Sequence, residues 1–179
     1  MAGEDQIVAQ VIAGDIGQFR KLVDQYRLPV FRFARNLIGD EHDAEDITQE
    51  VFLAAFHHLA SYNSRRGSLL TWLMTITRNR CINYLKRTRP VVGGEAIAAT
   101  QSPTHNNESA RNEFWSHLDE ALDSLPVEQK TVFILAEIEG LPYVDIARIE
   151  QTTLGTVKSR LHRAKRRLRA VVAPASGEQ

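Results

Sequence analysis

The stretch Thr152–Ala170, TTLGTVKSRLHRAKRRLRA, limits the fold more than any other part of the chain. Its apolar residues Leu154, Val157, Leu161, Ala164 and Leu168 recur at steps of three and four. That spacing lines them along one side of an α-helix. The remaining positions include Lys158, Arg160, Arg163, Lys165, Arg166, Arg167 and Arg169, with no acid among them. Thr152 or Thr153 is suited to cap the helix start, because a hydroxyl there accepts from N–H groups that lack a partner within the helix. A helix held by one stripe and cationic elsewhere is built for a polyanion.

The same periodicity runs through the rest of the chain. Ile7, Val8, Val11 and Ile12 mark a short helix over 6–13, and Phe19, Leu22, Val23 and Tyr26 a second. Pro29 is predicted to open a new helix carrying Val30, Phe33, Ala34, Leu37 and Ile38, since proline is tolerated at a first helical position. Gly39-Asp40 ends that helix. Ile47, Val51, Phe52, Ala55, Phe56 and Leu59 form the inner face of the next, SYNSRRGS is a polar loop, and Leu69–Arg87 is helical again. Between Pro90 and Asn107 the composition turns to small, polar, Pro and Gly residues without periodicity, which marks a linker. Helices then follow from Ser109, from Pro126 with a stop at Gly140, and from Pro142 to Ile149. No useful stretch alternates with period two. The expectation is an all-α protein of two small helical domains, 5–90 and 109–173, joined by a flexible linker, 91–108.

Net charge over the 179 residues is zero, so only the distribution of charge is informative. Asp40–Glu50 holds six acids and no Lys or Arg, whereas Ser64–Gly94 holds seven Lys or Arg and no acid. Such segregation predicts separate faces for separate partners. The single cysteine, Cys81, forbids an internal disulfide and suits a reducing compartment. The opening MAGEDQIVAQ lacks signal-peptide character, and no run reaches the ~20 apolar residues that cross a bilayer. A cytoplasmic protein with no membrane insertion is expected.

A short helix over Pro142–Ile149, a tight turn and the cationic helix together make a helix-turn-helix layout, whose second helix enters the major groove. With Leu154, Val157 and Leu161 facing inward, Thr156, Lys158, Ser159, Arg160 and Arg163 face outward, where they can meet base edges or phosphates. Arg166, Arg167 and Arg169 lie further along and suit phosphate. In Leu69–Arg87, Trp72, Ile76, Asn79 and Asn83 share a side. The two amides can bond exposed base edges, and Tyr62 and Trp72 can stack on unpaired bases. The competing readings are surface decoration for the amides and core packing for Trp72. The acid-rich Asp40–Glu50 suits a docking surface better than a metal site. The histidines at 42, 57, 58, 105, 117 and 162 have no zinc spacing with Cys81. No phosphate-cradling loop or nucleophile elbow occurs, so neither an enzyme nor a cofactor is expected.

Taken in order, these pieces resemble the extracytoplasmic-function (ECF) sigma factors of bacterial RNA polymerase, within the sigma-70 family. DAEDITQEVFLAAF resembles region 2.2, and SLLTWLMTITRNRCINYLKR resembles regions 2.3 and 2.4. SLPVEQKTVFILAEIEGLPYVDIARIEQTTLGTVKSRLHRAKRRLR resembles region 4, with GTVKSRLHRA the most specific signature. The resemblance implies a factor that binds polymerase core and directs promoter-specific, stress-responsive initiation. Asp43, Asp46, Gln49, Glu50 and Leu53 would dock on the clamp helices of the largest subunit. Tyr62, Arg65, Arg66, Asn79, Arg80, Asn83 and Lys86 would take the melted minus-ten element. Thr156, Lys158, Ser159, Arg160, Arg163, Arg166 and Arg167 would read the minus-thirty-five duplex. An anti-sigma factor is an implied partner. The chain departs from the family pattern at Gln151, where glycine is frequent, at Glu150, where an apolar residue is common, and at Asn83, frequently Asp. A differently shaped turn, or a surface-paired Glu150, is therefore expected. The rival readings are a helix-turn-helix regulator that binds duplex DNA without polymerase, and an adaptor whose basic helices bind acidic proteins.

Overall fold

A computed structural model describes residues 2–88 and 120–172. The linker 91–108 and the first part, 109–119, of the helix expected over Ser109–Asp123 lie outside the described residues. Among those described, all regular structure is helical: α1 (Ala2–Ile12), α2 (Phe19–Ile38), α3 (Glu41–His58) and α4 (Leu69–Thr88), then α5 (Val127–Phe133), α6 (Tyr143–Ile149) and α7 (Leu154–Val172). Short 3-10 turns precede α2 at Ile16–Gln18 and follow α3 at Leu59–Ser61. A π-turn at Ile134–Ile138 prolongs α5, and 120–123 is helical ahead of Pro126.

Local chemistry sets the boundaries. Gly39, at φ 90°, closes α2 in the left-handed conformation, its N–H returning to Arg35 O, a geometry that glycine adopts without strain. Asp40 caps α3 by accepting from Asp43 N at 2.9 Å, and Ser68 caps α4 by accepting from Thr71 N at 3.1 Å. Thr153 is the residue that caps α7, accepting from Thr156 N at 3.2 Å.

One expectation fails here. Pro29 does not open a helix but lies inside α2, which runs unbroken for 20 residues. A proline in a helix interior loses a hydrogen bond and costs about 3 kcal/mol. The buried residues Leu22, Tyr26, Val30, Phe33, Ala34 and Leu37 continue on both sides of it. Each large apolar side chain so buried contributes roughly 1.5–3 kcal/mol, so the stripe outweighs the local defect.

Helix α2 is the central element and packs against α3 and α4. The second half of the chain does not stand apart from this bundle. Val30, Phe33 and Met74 share one continuous buried cluster with Ile134, Leu135, Ile146, Ile149 and Val157. Helix α4 lies directly on α6, and α2 meets the π-turn. A smaller cluster of Ala121, Leu122, Leu125, Ala164 and Leu168 fixes the far end of α7. Of the five residues expected along the inner stripe of α7, four are buried and Leu154 is 42% exposed. It is the first residue of the helix, at the edge of the packed stripe.

Candidate nucleic-acid and protein interfaces

Three surfaces gather the residues singled out in the sequence. The first is on α3, where Asp46, Gln49, Glu50 and Leu53 are all exposed. Leu53 is 62% exposed, unusual for so apolar a side chain on a packed bundle. It borders a groove of about 470 Å³ between α3 and the start of α2, lined by Ile16, Phe19, Val23, Arg27, Thr48, Gln49, Phe52 and Phe56 as well. Phe19 and Phe56 meet edge to face there, with centroids 5.1 Å apart. Asp43 is set off from this face: it is half-buried and accepts from the Tyr84 hydroxyl on α4. Sequence reading found the polar rim of the groove and missed its apolar floor. The signal available was Ile16, an apolar residue isolated between two glycines.

The second surface is on α4. Trp72, Ile76, Asn79 and Asn83 do share a side, and with Ala54, His58, Ser61 and Arg80 they line a pocket of about 300 Å³. Asn79, Arg80, Asn83 and Lys86 are exposed along the outer face of the helix, with Arg65 and Arg66 exposed on the preceding loop. Asn63 shapes that loop by accepting from Arg65 N through its side chain at 3.0 Å, and from Arg66 N through its carbonyl at 2.9 Å. Tyr62 packs against Trp72 with centroids 5.8 Å apart and donates to Gly67 O at 3.3 Å. Burial, then the nearby carboxylates of Asp5 and Glu4, raise the Tyr62 hydroxyl above its ordinary pKa, so it stays a neutral donor. Trp72 is half-buried: one part packs on the core and another part lines the pocket. Arg80 is also paired, its Nη1 2.9 Å from Glu50 Oε2 on α3.

The third surface is α7. Lys158, Arg163, Arg166 and Arg167 are exposed, while Thr156, Ser159 and Arg160 are half-buried. Helix α6 precedes it through a turn in which Gln151 has φ 52°, the one non-glycine with positive φ among the described residues. This is the position where glycine was noted as the family habit. The turn keeps the left-handed geometry and carries a side chain in it, a strain of order 1 kcal/mol.

Glu150, the other departure, is not on the surface. Its side chain is fully buried, with Oε1 2.9 Å from Arg78 Nε on α4 and Oε2 2.8 Å from Arg160 Nη1 on α7. Burying a lone carboxylate would cost several kcal/mol, and two hydrogen-bonded arginines offset that cost. Arg78 also donates to Asn79 Oδ1 at 3.3 Å. Sequence reading passed over Arg78, because nothing local connects it to a residue 72 positions away.

Among the described residues no group of His, Cys, Asp or Glu side chains is placed to hold a metal ion, and no helix is long and apolar enough to cross a membrane.

Comparison with known proteins gives these surfaces a common context. Residues 22–91 match sigma-70 region 2, and residues 117–168 match sigma-70 region 4. The chain is 35% identical over 141 residues to the ECF sigma factor EcfG of Rhodopseudomonas palustris, covering 78% of this chain and 77% of that one. The chain belongs to the ECF sigma factors. It is also 35% identical over 164 residues to SigE of Mycolicibacterium smegmatis, covering 88% of this chain and spanning 63% of SigE. The structure of CnrH in complex with the cytosolic domain of CnrY matches with a TM-score of 0.74 at 25% identity, covering 95% of this chain and 97% of CnrH. In family terms, α2 to α4 fall in region 2 and α5 to α7 in region 4. The groove on α3 and the pocket on α4 both belong to region 2 of this sigma factor. These relatives do not favour a free-standing regulator.

Proposed function

We propose that this sigma factor binds RNA polymerase core through the exposed face of α3, captures melted minus-ten bases on α4 and reads minus-thirty-five duplex with α7. The observation that carries the reading is the pairing, in one chain, of a pocket lined by two amides and an indole with a cationic helix-turn-helix. Unpaired bases are recognised by stacking and by bonds to exposed edges, which suits Trp72, Asn79 and Asn83. Duplex is recognised by a helix in the major groove, which suits Arg163 and Lys158 toward bases and Arg166 and Arg167 toward phosphate. A factor that opens DNA needs both.

Core binding is assigned to Asp46, Gln49, Glu50 and Leu53. A central apolar anchor within a polar rim is the usual make-up of an interface centre, and Leu53 beside the groove supplies it. Asp43 acts from behind that face, bonding Tyr84 and so holding α3 to α4. The polymerase partner is a coiled pair of clamp helices, and an anti-sigma factor is a competing partner for the same surfaces. The action is confined to the cytoplasm. The test is size-exclusion chromatography of the protein with purified core polymerase. Co-elution as a one-to-one complex is expected; a chain that binds DNA yet elutes apart from core would be a regulator instead.

A further inference from the structure

The base pocket on α4 has a second wall, which the spacing of α4 does not display. His58, at the end of α3, and Ser61, in the 3-10 turn after it, line the pocket together with Asn79, Arg80 and Asn83. Several of these polar groups are already committed to partners outside it. The Ser61 hydroxyl donates to His58 O at 2.7 Å, so its oxygen is left as an acceptor. Asn79 Oδ1 accepts from Arg78 Nη1 at 3.3 Å. That bond orients the amide and leaves the –NH2 as the group free to meet a base. Arg80 has Nη1 on Glu50 Oε2 at 2.9 Å, and its other N–H groups remain as donors. Among the described residues that line the pocket there is no carboxylate. The pattern offered is therefore one acceptor from the turn and two donors from adjacent positions of α4.

An extruded base is read along the edge that pairing normally hides, while its faces stack. On that edge cytosine carries an amino donor, then the acceptors N3 and O2. Adenine carries an amino donor and one acceptor, N1. Guanine and thymine carry a keto oxygen where the others have the amino group, beside a ring N–H. Against one acceptor and two donors, cytosine satisfies all three groups and adenine satisfies two. A keto base sets its oxygen against the Ser61 oxygen and its N–H against a donor. Such mismatches are rejected strongly, because the polar groups of the site are left unpaired.

We infer that this pocket selects an amino base from the melted strand, cytosine ahead of adenine, and that Ser61 is a specificity-determining residue acting with Asn79. The inference rests on the sigma reading above and adds to it the class of base that is captured. Trp72 supplies a stacking face to any base, so discrimination falls to the hydrogen-bonding groups.

The test measures the full chain, alone and as holoenzyme with purified core polymerase, by fluorescence anisotropy. The probes are short labelled single strands of DNA, abasic except at one central nucleotide. The wild type should bind the cytosine strand about ten-fold more tightly than the guanine or thymine strand, with adenine between them. Ser61→Ala should bring amino and keto bases to equal affinity. Asn79→Asp turns the middle donor into an acceptor, which matches the N2–H, N1–H and O6 order of guanine. It should make guanine the preferred base, a gain that a damaged fold does not produce. Equal affinity for all four bases in the wild type, preference for a keto base, or variants that weaken all four strands in parallel would overturn the inference. A chain that fails to join core would instead remove the sigma reading, while the measurement on the chain alone would still decide which base the pocket prefers.

Discussion

Glu50 Oε2 lies 2.9 Å from Arg80 Nη1, joining the helix assigned to polymerase with the helix assigned to melted DNA. Both side chains are about half exposed, at 56% and 44%, so solvent screens the pair and its worth to folding is about 0–1 kcal/mol. Arg80→Ala should therefore leave the thermal midpoint nearly unchanged. In reconstituted holoenzyme it should reduce permanganate reactivity of promoter thymines, because it removes a cation beside the base pocket. A lowered midpoint with unchanged reactivity would make Arg80 a structural residue.

Leu53 is the apolar centre of the α3 face. Leu53→Asp places a charge there without disturbing any buried contact, so circular dichroism and the thermal midpoint should stay as in the wild type. Interface anchors are worth about 2 kcal/mol or more, which corresponds to core affinity weaker by about thirty-fold. Pull-down against purified core checks this, with Ile12→Asp on α1, exposed to 54%, as the control that should bind normally.

On α7 the prediction separates base reading from phosphate contact. Arg163→Ala should weaken binding to the correct minus-thirty-five duplex by about 1–3 kcal/mol and relax preference at one base pair. Arg167→Ala should weaken binding evenly across sequences and lower the salt slope by about 1. Fluorescence anisotropy over a salt series distinguishes the two.

Much of this was legible in the sequence because it depends on local spacing. The stripe Val157, Leu161, Ala164 and Leu168 gave α7, and the spacing of Trp72, Ile76, Asn79 and Asn83 gave one side of the pocket. Thr153, one of two candidate caps, is the one used. What the sequence hid was whatever depends on contact between distant elements. Pro29 reads as a helix start because the residues that outweigh it are effective only when packed against α3 and α4. Glu150 reads as a surface charge because its partners Arg78 and Arg160 come from two other helices. Leu154 fits the stripe by number but stands at the very start of the helix, where it stays exposed. The apolar floor of the α3 groove is assembled from α2, α3 and the 3-10 turn, and no single segment displays it.

Cys81 is buried in α4, and burial pushes its thiol up from an ordinary value near 9.0 to about 12. The folded state therefore holds this proton more tightly than the unfolded chain. The resulting stability is complete below pH 9 and is lost as pH rises toward 12. At pH 8 the native thiol should resist alkylation by iodoacetamide and react promptly once the chain is unfolded in denaturant, as mass spectrometry would show. Rapid native labelling would mean that α4 opens readily.

The most direct test of the central claim is transcription by purified core polymerase on host genomic DNA, with and without this protein, with RNA 5′ ends mapped by sequencing. The account predicts a defined set of new start sites that share one minus-ten and one minus-thirty-five sequence and vanish with Leu53→Asp. Start sites identical in the presence and absence of the protein would contradict it.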